Sequence, residues 1–185
     1  EEPEALRRAI LPRIKDGEVV FDGLQLDISR YDSIKIIACG SSYHVGMVGK
    51  YNLEKLARIP VEVVLASEFR YCDPIIDSRT LVVVISQSGE TLDTMAALRE
   101  AKSLGARILS IVNVVGSSIA RESDDVLYTW AGPEIAVATT KAYSTQMAVL
   151  DLLAIYLAGQ RKTITAEDMR RLTSAIAALP AQVEQ

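Results

Sequence analysis

The stretch LVVVISQSGETLD, residues 81–93, decides the fold. Its first part, residues 81–85, is a run of branched apolar residues, which predicts a strand buried on both faces. The polar residues after it lead into a predicted helix at residues 91–104, which Gly105 is expected to end. On that helix the side chains expected to face inward are Leu92, Met95, Ala96 and Leu98.

The same alternation of strand and helix continues on both sides of this stretch. Further strands are predicted at residues 34–38, 61–66, 107–112 and 126–129, and further helices at residues 41–57, 139–158 and 165–179. Thr165 is the expected N-cap of the last helix, Asp168 takes the capping-box position, and Pro180 is expected to end the helix. The predicted fold class is α/β, a three-layer αβα sandwich whose five-stranded parallel sheet has flavodoxin-like order.

Residues 1–30 do not fit the alternation and predict one short helix and a loop that lead into the domain. The predicted division of the chain is therefore a linker at 1–30, a globular domain at 31–160, and a terminal helix with a connector at 161–185.

The composition argues against several classes of function. The chain carries a net charge of −4, one Trp and two Phe, so it lacks the basic, aromatic stripe of a nucleic-acid binder. No apolar run reaches ~18 residues, which predicts no membrane span. The first four residues, EEPE, do not resemble a signal peptide, so the predicted location is the cytoplasm. Cys39 and Cys72 predict no disulfide framework and no zinc site, and are expected to be free, buried thiols.

Two strand ends carry small, hydroxyl-rich segments, at residues 39–42 (CGSS) and 86–91 (SQSGET). Ligands of open parallel sheets bind where the strands end. The start of a helix offers free N–H groups and the positive end of its dipole. Three hydroxyls, an amide and a glycine at such a point predict a phosphate site that needs no Lys or Arg. The alternative is that the hydroxyls only cap the next helix.

Two nucleotide-binding motifs do not fit. The first helix carries Gly40, Gly46 and Gly49, whose spacing is wrong for a dinucleotide-binding G-x-G-x-x-G turn. Gly49-Lys50-Tyr51 lacks the upstream glycine and the final Ser or Thr of a Walker A loop.

Four motifs resemble those of the sugar isomerase (SIS) domain: ACGSSYHVG at residues 38–46, ASEFRY at 66–71, SQSGET at 86–91 and EIAVATTKAY at 134–143. The combination is most similar to the first SIS half of the amidotransferases that make glucosamine 6-phosphate from fructose 6-phosphate and glutamine. The opening EEPEALRRAI resembles the segment that joins the glutaminase domain of those enzymes to the isomerase module.

The resemblance implies a substrate-binding set. The residues that match the phosphate contacts are Ser42, Ser86, Gln87, Ser88 and Thr91, and those that match the sugar contacts are Cys39, Gly40, Ser41, Val137 and Thr139. Lys141 is either a lysine that follows the site or a member of a local ion pair. Glu68 and Arg70 resemble a structural charged pair, and His44 matches no catalytic position.

No catalytic residue is assigned, because the lysine, glutamate and histidine of the family reaction belong to the second SIS half and the tail. The resemblance implies no metal or organic cofactor, hexose 6-phosphates as ligands, and a glutaminase domain and a second SIS domain as partners in a longer chain. The alternatives are a non-catalytic phosphosugar-sensing module of a regulator and a deglycase-type SIS protein. The sequence upstream would separate them.

The apolar circumference of the helix at 139–158 predicts a homodimer, since one face of that helix is expected to remain uncovered. The alternative is that the last helix folds back over it.

Overall fold

The computed structural model of the chain describes residues 1–134 and 139–184. Its central sheet has five parallel strands, which are β3 (Ser33–Ala38), β4 (Val61–Leu65), β5 (Thr80–Ser86), β6 (Arg107–Val112) and β7 (Asp125–Tyr128). Their spatial order is β4–β3–β5–β6–β7, which confirms the predicted flavodoxin-like order. Every residue of β5 is buried, as its apolar run predicts for the middle of the sheet.

Helices cover both faces of the sheet and complete the αβα sandwich. They are α1 (Glu2–Ile10), α2 (Gly40–Ala57), α3 (Ala66–Phe69), α4 (Leu92–Ser103), α5 (Ser118–Glu122), α6 (Lys141–Arg161) and α7 (Ala166–Val183). Alternate residues of β5 belong to different cores: Val83 packs with α2 and α6, whereas Val84 packs with α3, α4 and α5. The period-two alternation of a strand therefore gives one sheet two apolar faces.

The N-terminal segment contains a hairpin that the sequence analysis missed. The short helix predicted there is α1, and β1 (Ile14–Lys15) pairs antiparallel with β2 (Glu18–Val19) beyond it. Asp16 and Gly17 form the turn with φ of 52° and 79°, and an Asp-Gly pair suits a turn that needs two positive φ angles. The carbonyl of Gly17 accepts a hydrogen bond from Thr173 of α7 at 3.0 Å.

The last helix also departs from its prediction. Thr165 caps it, as predicted, by accepting from the N–H of Asp168 at 3.0 Å. Pro180, however, lies buried inside α7 rather than at its end. A proline this close to a helix end costs one backbone hydrogen bond, and the helix continues for three more residues to Val183.

The expected apolar patch on α6 is not present. The helices α1, α2 and α7 all pack against α6, and most of its apolar side chains are buried. Arg7 of α1 forms an ion pair with Glu184, the residue after α7, so the two outer helices also meet each other. The alternative, that the last helix folds back, is therefore the packing observed.

Two smaller expectations were wrong. Leu92 is 79% exposed rather than facing inward, because the buried face of α4 runs through Thr94, Ala97, Leu98 and Ala101. Both cysteines are free, but Cys72 is exposed and Cys39 is only half-buried. Among the helices that the structure describes, none has the length and hydropathy needed to cross a bilayer.

Candidate functional site

The carboxyl ends of neighbouring strands bring the two hydroxyl-rich segments side by side. Ala38 at the end of β3 is in register with Ile85 of β5, so residues 39–42 and 86–91 leave the sheet at the same edge. Thr94 in the first turn of α4 donates to the thiol sulfur of Cys39 at 3.8 Å, which joins the helix that follows residues 86–91 to the segment at residues 39–42. The two segments singled out from the sequence are therefore neighbours.

The segment 86–91 is folded by its own hydroxyl groups. The N–H of Gly89 donates to Ser86 Oγ at 3.0 Å, and the N–H of Glu90 donates to Ser88 Oγ at 3.2 Å. Ser86 Oγ also lies 3.3 Å from Thr91 Oγ1. Thr91 is the N-cap residue of α4, but its side chain makes no cap hydrogen bond. The hydroxyls therefore shape a loop, and simple capping does not account for them.

The geometry leaves this loop able to hold an anion. Gly89 has φ of 68°, which turns the chain tightly at the start of α4. The first N–H groups of α4 have no acceptor within the helix and lie at the positive end of its dipole. Ser88 and Gln87 are half-buried, so both residues are partly accessible close to the start of α4.

The residues of the segment 39–42 differ in how accessible they are to a ligand. Cys39 is the N-cap residue of α2, Gly40 follows with φ of 56°, and Ser41 is exposed. Ser42 is only 7% exposed, and its hydroxyl donates to Gln146 of α6 at 3.1 Å. Of the predicted residues here, Cys39, Gly40 and Ser41 are thus accessible, whereas Ser42 is engaged inside the fold.

The third predicted part of the site is only partly described. Val137 lies outside the residues that the structure describes. Thr139 donates to the Glu134 carboxylate at 3.1 Å, and the same oxygen accepts from the N–H of Ala142 at 3.0 Å. Glu134 therefore caps the start of α6 and joins the two sides of the 135–138 stretch.

Asn113, the residue after β6, was missed by the sequence analysis. Its backbone N–H donates to the carbonyl of Gln87 at 3.1 Å. Its side-chain oxygen accepts from Thr129 Oγ1 at 3.1 Å and from the N–H of Ala131 at 2.8 Å, and its amide donates to the carbonyl of Gly132 at 2.8 Å. Asn113 thus joins residues 86–91, the phosphate-loop candidate, to the loop after β7. The rule that polar residues after parallel strands matter would have found it.

A cavity of about 750 Å³ lies beside the loop. Of the predicted residues that the structure describes, Gln87 alone lines it, together with Asn113, Arg8 and Trp130. The cavity is therefore next to the hydroxyl cluster and not within it. Trp130 has φ of 56° and is 47% exposed, which is a strained conformation for a large aromatic residue.

The other residues singled out from the sequence are Lys141, Glu68, Arg70 and His44. Lys141 pairs with Glu1 at 2.7 Å, an ion pair between residues far apart in sequence, and this lysine lowers the pKa of the exposed Glu1 carboxylate. Glu68 and Arg70 form no ion pair among the described residues, because side chains two positions apart on a helix point in different directions. His44 is exposed and lies edge-on to Tyr43 at 5.7 Å between ring centroids.

Comparison with known proteins gives consistent results. A sequence model of the SIS domain matches residues 27–156. The glutamine–fructose-6-phosphate aminotransferase (isomerizing) of Clostridium acetobutylicum is 52% identical over 189 residues, which cover all of this chain and 31% of that protein. A protein of the same name from Thermus thermophilus is 47% identical over 186 residues, with the same coverage. The chain therefore spans about a third of the length of these relatives.

Solved structures are similar as well. The C-terminal domain of glucosamine-fructose-6-phosphate aminotransferase from Francisella tularensis superimposes with a TM-score of 0.95 at 39% identity, and the match covers all of this chain and 52% of that one. A glucosamine-6-phosphate deaminase from Thermotoga maritima superimposes with a TM-score of 0.69 at 23% identity over 98% of this chain and 54% of that one, which shows a shared fold.

Proposed function

The chain belongs to the SIS domain family, and we propose that it binds the phosphate group of a hexose 6-phosphate in the loop at residues 86–91. The observation that carries the proposal is the arrangement of Ser86, Ser88 and Thr91 around Gly89 at the start of α4. Free helix N–H groups and hydroxyls together supply the donors that a phosphate monoester needs.

We further propose where the sugar lies. Residues 39–42 leave the sheet beside the phosphate loop, so a ligand held there extends over Cys39, Gly40 and Ser41. Val137, which lies outside the described residues, and Thr139, which precedes α6, complete the proposed set. The hydroxyl of Ser42 donates to Gln146 Oε1 at 3.1 Å. Ser42 can therefore contact the ligand only if this hydrogen bond is broken.

The relatives suggest the reaction to which this binding belongs. We propose that the chain is the phosphosugar-binding part of an aminotransferase that converts fructose 6-phosphate and glutamine to glucosamine 6-phosphate and glutamate in the cytoplasm. Its proposed partners in the longer protein are a glutaminase domain and a second SIS domain. Residues 1–30 are the proposed linker, 31–160 the SIS domain and 161–185 the connector. A homodimer is proposed for that longer protein only, because the packing of α6 removes the reason for predicting one in this chain.

The test is a titration of the chain with fructose 6-phosphate, glucosamine 6-phosphate and unphosphorylated fructose. Amide NMR shifts at Ser86, Ser88 and Thr91 should respond to millimolar concentrations of the two phosphates and not to fructose. Trp130 is the only tryptophan and shares a cavity with Gln87, so its fluorescence gives a second readout. The chain should bind without forming glucosamine 6-phosphate from ammonia.

Two serine variants distinguish a specific role of the loop from a general effect of changes in α4. Ser88→Ala should weaken binding of both phosphates about tenfold, the order expected when a hydrogen bond to a charged group is lost. Ser103→Ala removes a hydroxyl at the far end of α4 that bonds to the carbonyl of Glu100, and should leave binding unchanged. Equal loss in both variants, or no shift in the loop of the wild type, would contradict the proposed site.

A further inference from the structure

The phosphate-loop candidate contains a carboxylate, which is unexpected beside a site for an anion. Glu90 is exposed, and its charge would repel a phosphate if the side chain pointed into the site. Instead, Glu90 Oε1 accepts a hydrogen bond of 2.7 Å from the N–H of Ser118, the first residue of α5. The carboxylate is thus directed away from α4 and onto the start of another helix.

The backbone of the loop is bound to the same helix. The carbonyl of Gly89 accepts from the N–H of Ile119 at 3.0 Å, so successive N–H groups of α5 bind successive residues of the loop. The carbonyl of Gln87 accepts from the N–H of Asn113, the residue after β6, at 3.1 Å. These N–H groups at the start of α5 have no acceptor within their own helix, so the loop supplies the partners that they need.

Side-chain packing also holds the loop against the start of α5. Ser117, just before α5, is 3% exposed, and its side chain lies against Gly89. A Cβ atom at position 89 would lie 2.1 Å from Ser117 Oγ, so only glycine fits there. The loop is therefore held against α5 by packing as well as by hydrogen bonds.

We propose that Glu90 is a positioning residue, which fixes residues 86–91 in their binding shape before a ligand arrives by anchoring the loop to α5. The hydrogen bond from Ser118 also lowers the pKa of the Glu90 carboxyl, so the acceptor stays ionised at neutral pH. The naming of phosphate as the ligand rests on the proposed function, whereas the anchoring of the loop does not.

The first test uses the ligand-free protein and measures amide hydrogen exchange at Gly89 and Ile119. Glu90→Ala should speed exchange at both amides about tenfold, because the loop and α5 then separate more often. Glu90→Gln keeps an acceptor oxygen for Ser118 and should restore most of the protection. The matched control is Glu122→Ala, which removes the ion pair between α5 and Arg99 but no contact to the loop. It should leave both amides protected.

The second test measures binding of inorganic phosphate and fructose 6-phosphate to the same variants. Glu90→Ala should weaken both about tenfold, with Glu90→Gln close to wild type. Unchanged exchange in Glu90→Ala would overturn the proposal, and so would equal acceleration in Glu122→Ala. Accelerated exchange in a protein whose wild type binds neither phosphate would support the anchoring role and refute the proposed function.

Discussion

At the scale of single residues, Asp151 shows how surroundings set the behaviour of a charge. This aspartate lies on α6, and Asn52 of α2 donates to it at 2.6 Å. Burial raises the pKa of the Asp151 carboxyl, and the hydrogen bond from Asn52 only partly opposes that effect. The ionised carboxylate is therefore less favourable in the folded chain than in the unfolded one.

Replacing this charge should stabilise the protein at neutral pH. Because the folded pKa lies above the unfolded value, the cost of the charge is fully present above the folded pKa and disappears as the pH falls through it. Asp151→Asn should raise Tm at pH 7, and the gain should shrink as the pH approaches 4. Thermal unfolding between pH 4 and 7 measures both effects.

Asp168 is the control of opposite sign. Its carboxyl is exposed, and the hydrogen bond from Arg171 together with the contact to Thr165 lowers its pKa. Asp168→Asn should therefore lower Tm at pH 7 and have little effect at low pH. A rise in Tm for both variants would mean that removal of negative charge in general, and not burial, explains Asp151.

The residues of the candidate site could be proposed from sequence only where a local pattern was enough. Ser86 and Thr91 were proposed because hydroxyls at the end of a buried strand are such a pattern. Glu90 and Ser117 were missed because their roles depend on α5 packing behind the loop, and Glu90 is 28 positions from its partner there. Ser42 was found in sequence, but its bond to Gln146 on α6 is equally non-local.

At the scale of elements, two glycines of α2 determine how closely this helix approaches α6 and the sheet. Gly46 and Gly49 of α2 are both buried. A Cβ atom at Gly49 would lie 1.9 Å from a methyl carbon of Leu150, and one at Gly46 would lie 2.9 Å from Ile36. Gly49 thus allows α2 to approach α6, and Gly46 allows α2 to approach the sheet.

Gly49→Ala should destabilise the protein although alanine favours helices. The overpacking cost of about 1–3 kcal/mol exceeds the ~1 kcal/mol gained in helix propensity. Urea unfolding measures the net loss. Gly159→Ala on α6 is the matched control, because its Cβ would meet only the flexible end of Met169 and should be tolerated. A more stable Gly49→Ala protein would show that α2 and α6 can move apart freely.

The elements themselves were largely predictable, and the exceptions have physical reasons. Strands and long helices were found because their periodicity is local. The hairpin β1–β2 was missed because two-residue strands show no period, although its Asp16-Gly17 turn is a recognisable pattern. Pro180 was misjudged because burial of α7 against α1 and α6 outweighs one lost hydrogen bond.

At the scale of the whole molecule, the helices that bury α6 determine which oligomeric state we expect. Since α1, α2 and α7 bury this helix, we expect light scattering at micromolar concentration to give a mass near 20.2 kDa. A mass of twice that value would mean that two copies associate through a surface other than α6. Sequence alone could not decide this point, because it shows that α6 is apolar but not which segments lie on it.

The ion pair between Arg7 and Glu184 has a consequence for chain connectivity. It brings α1 and α7, the first and last helices, within side-chain reach, and these two helices also pack together. The two ends could be joined through a short linker, and new ends opened in a largely exposed loop such as residues 73–79. The spatial order of the strands in the sheet would be kept, and only their order along the chain would change. The packing of the first helix on the last is thus compatible with circular permutation.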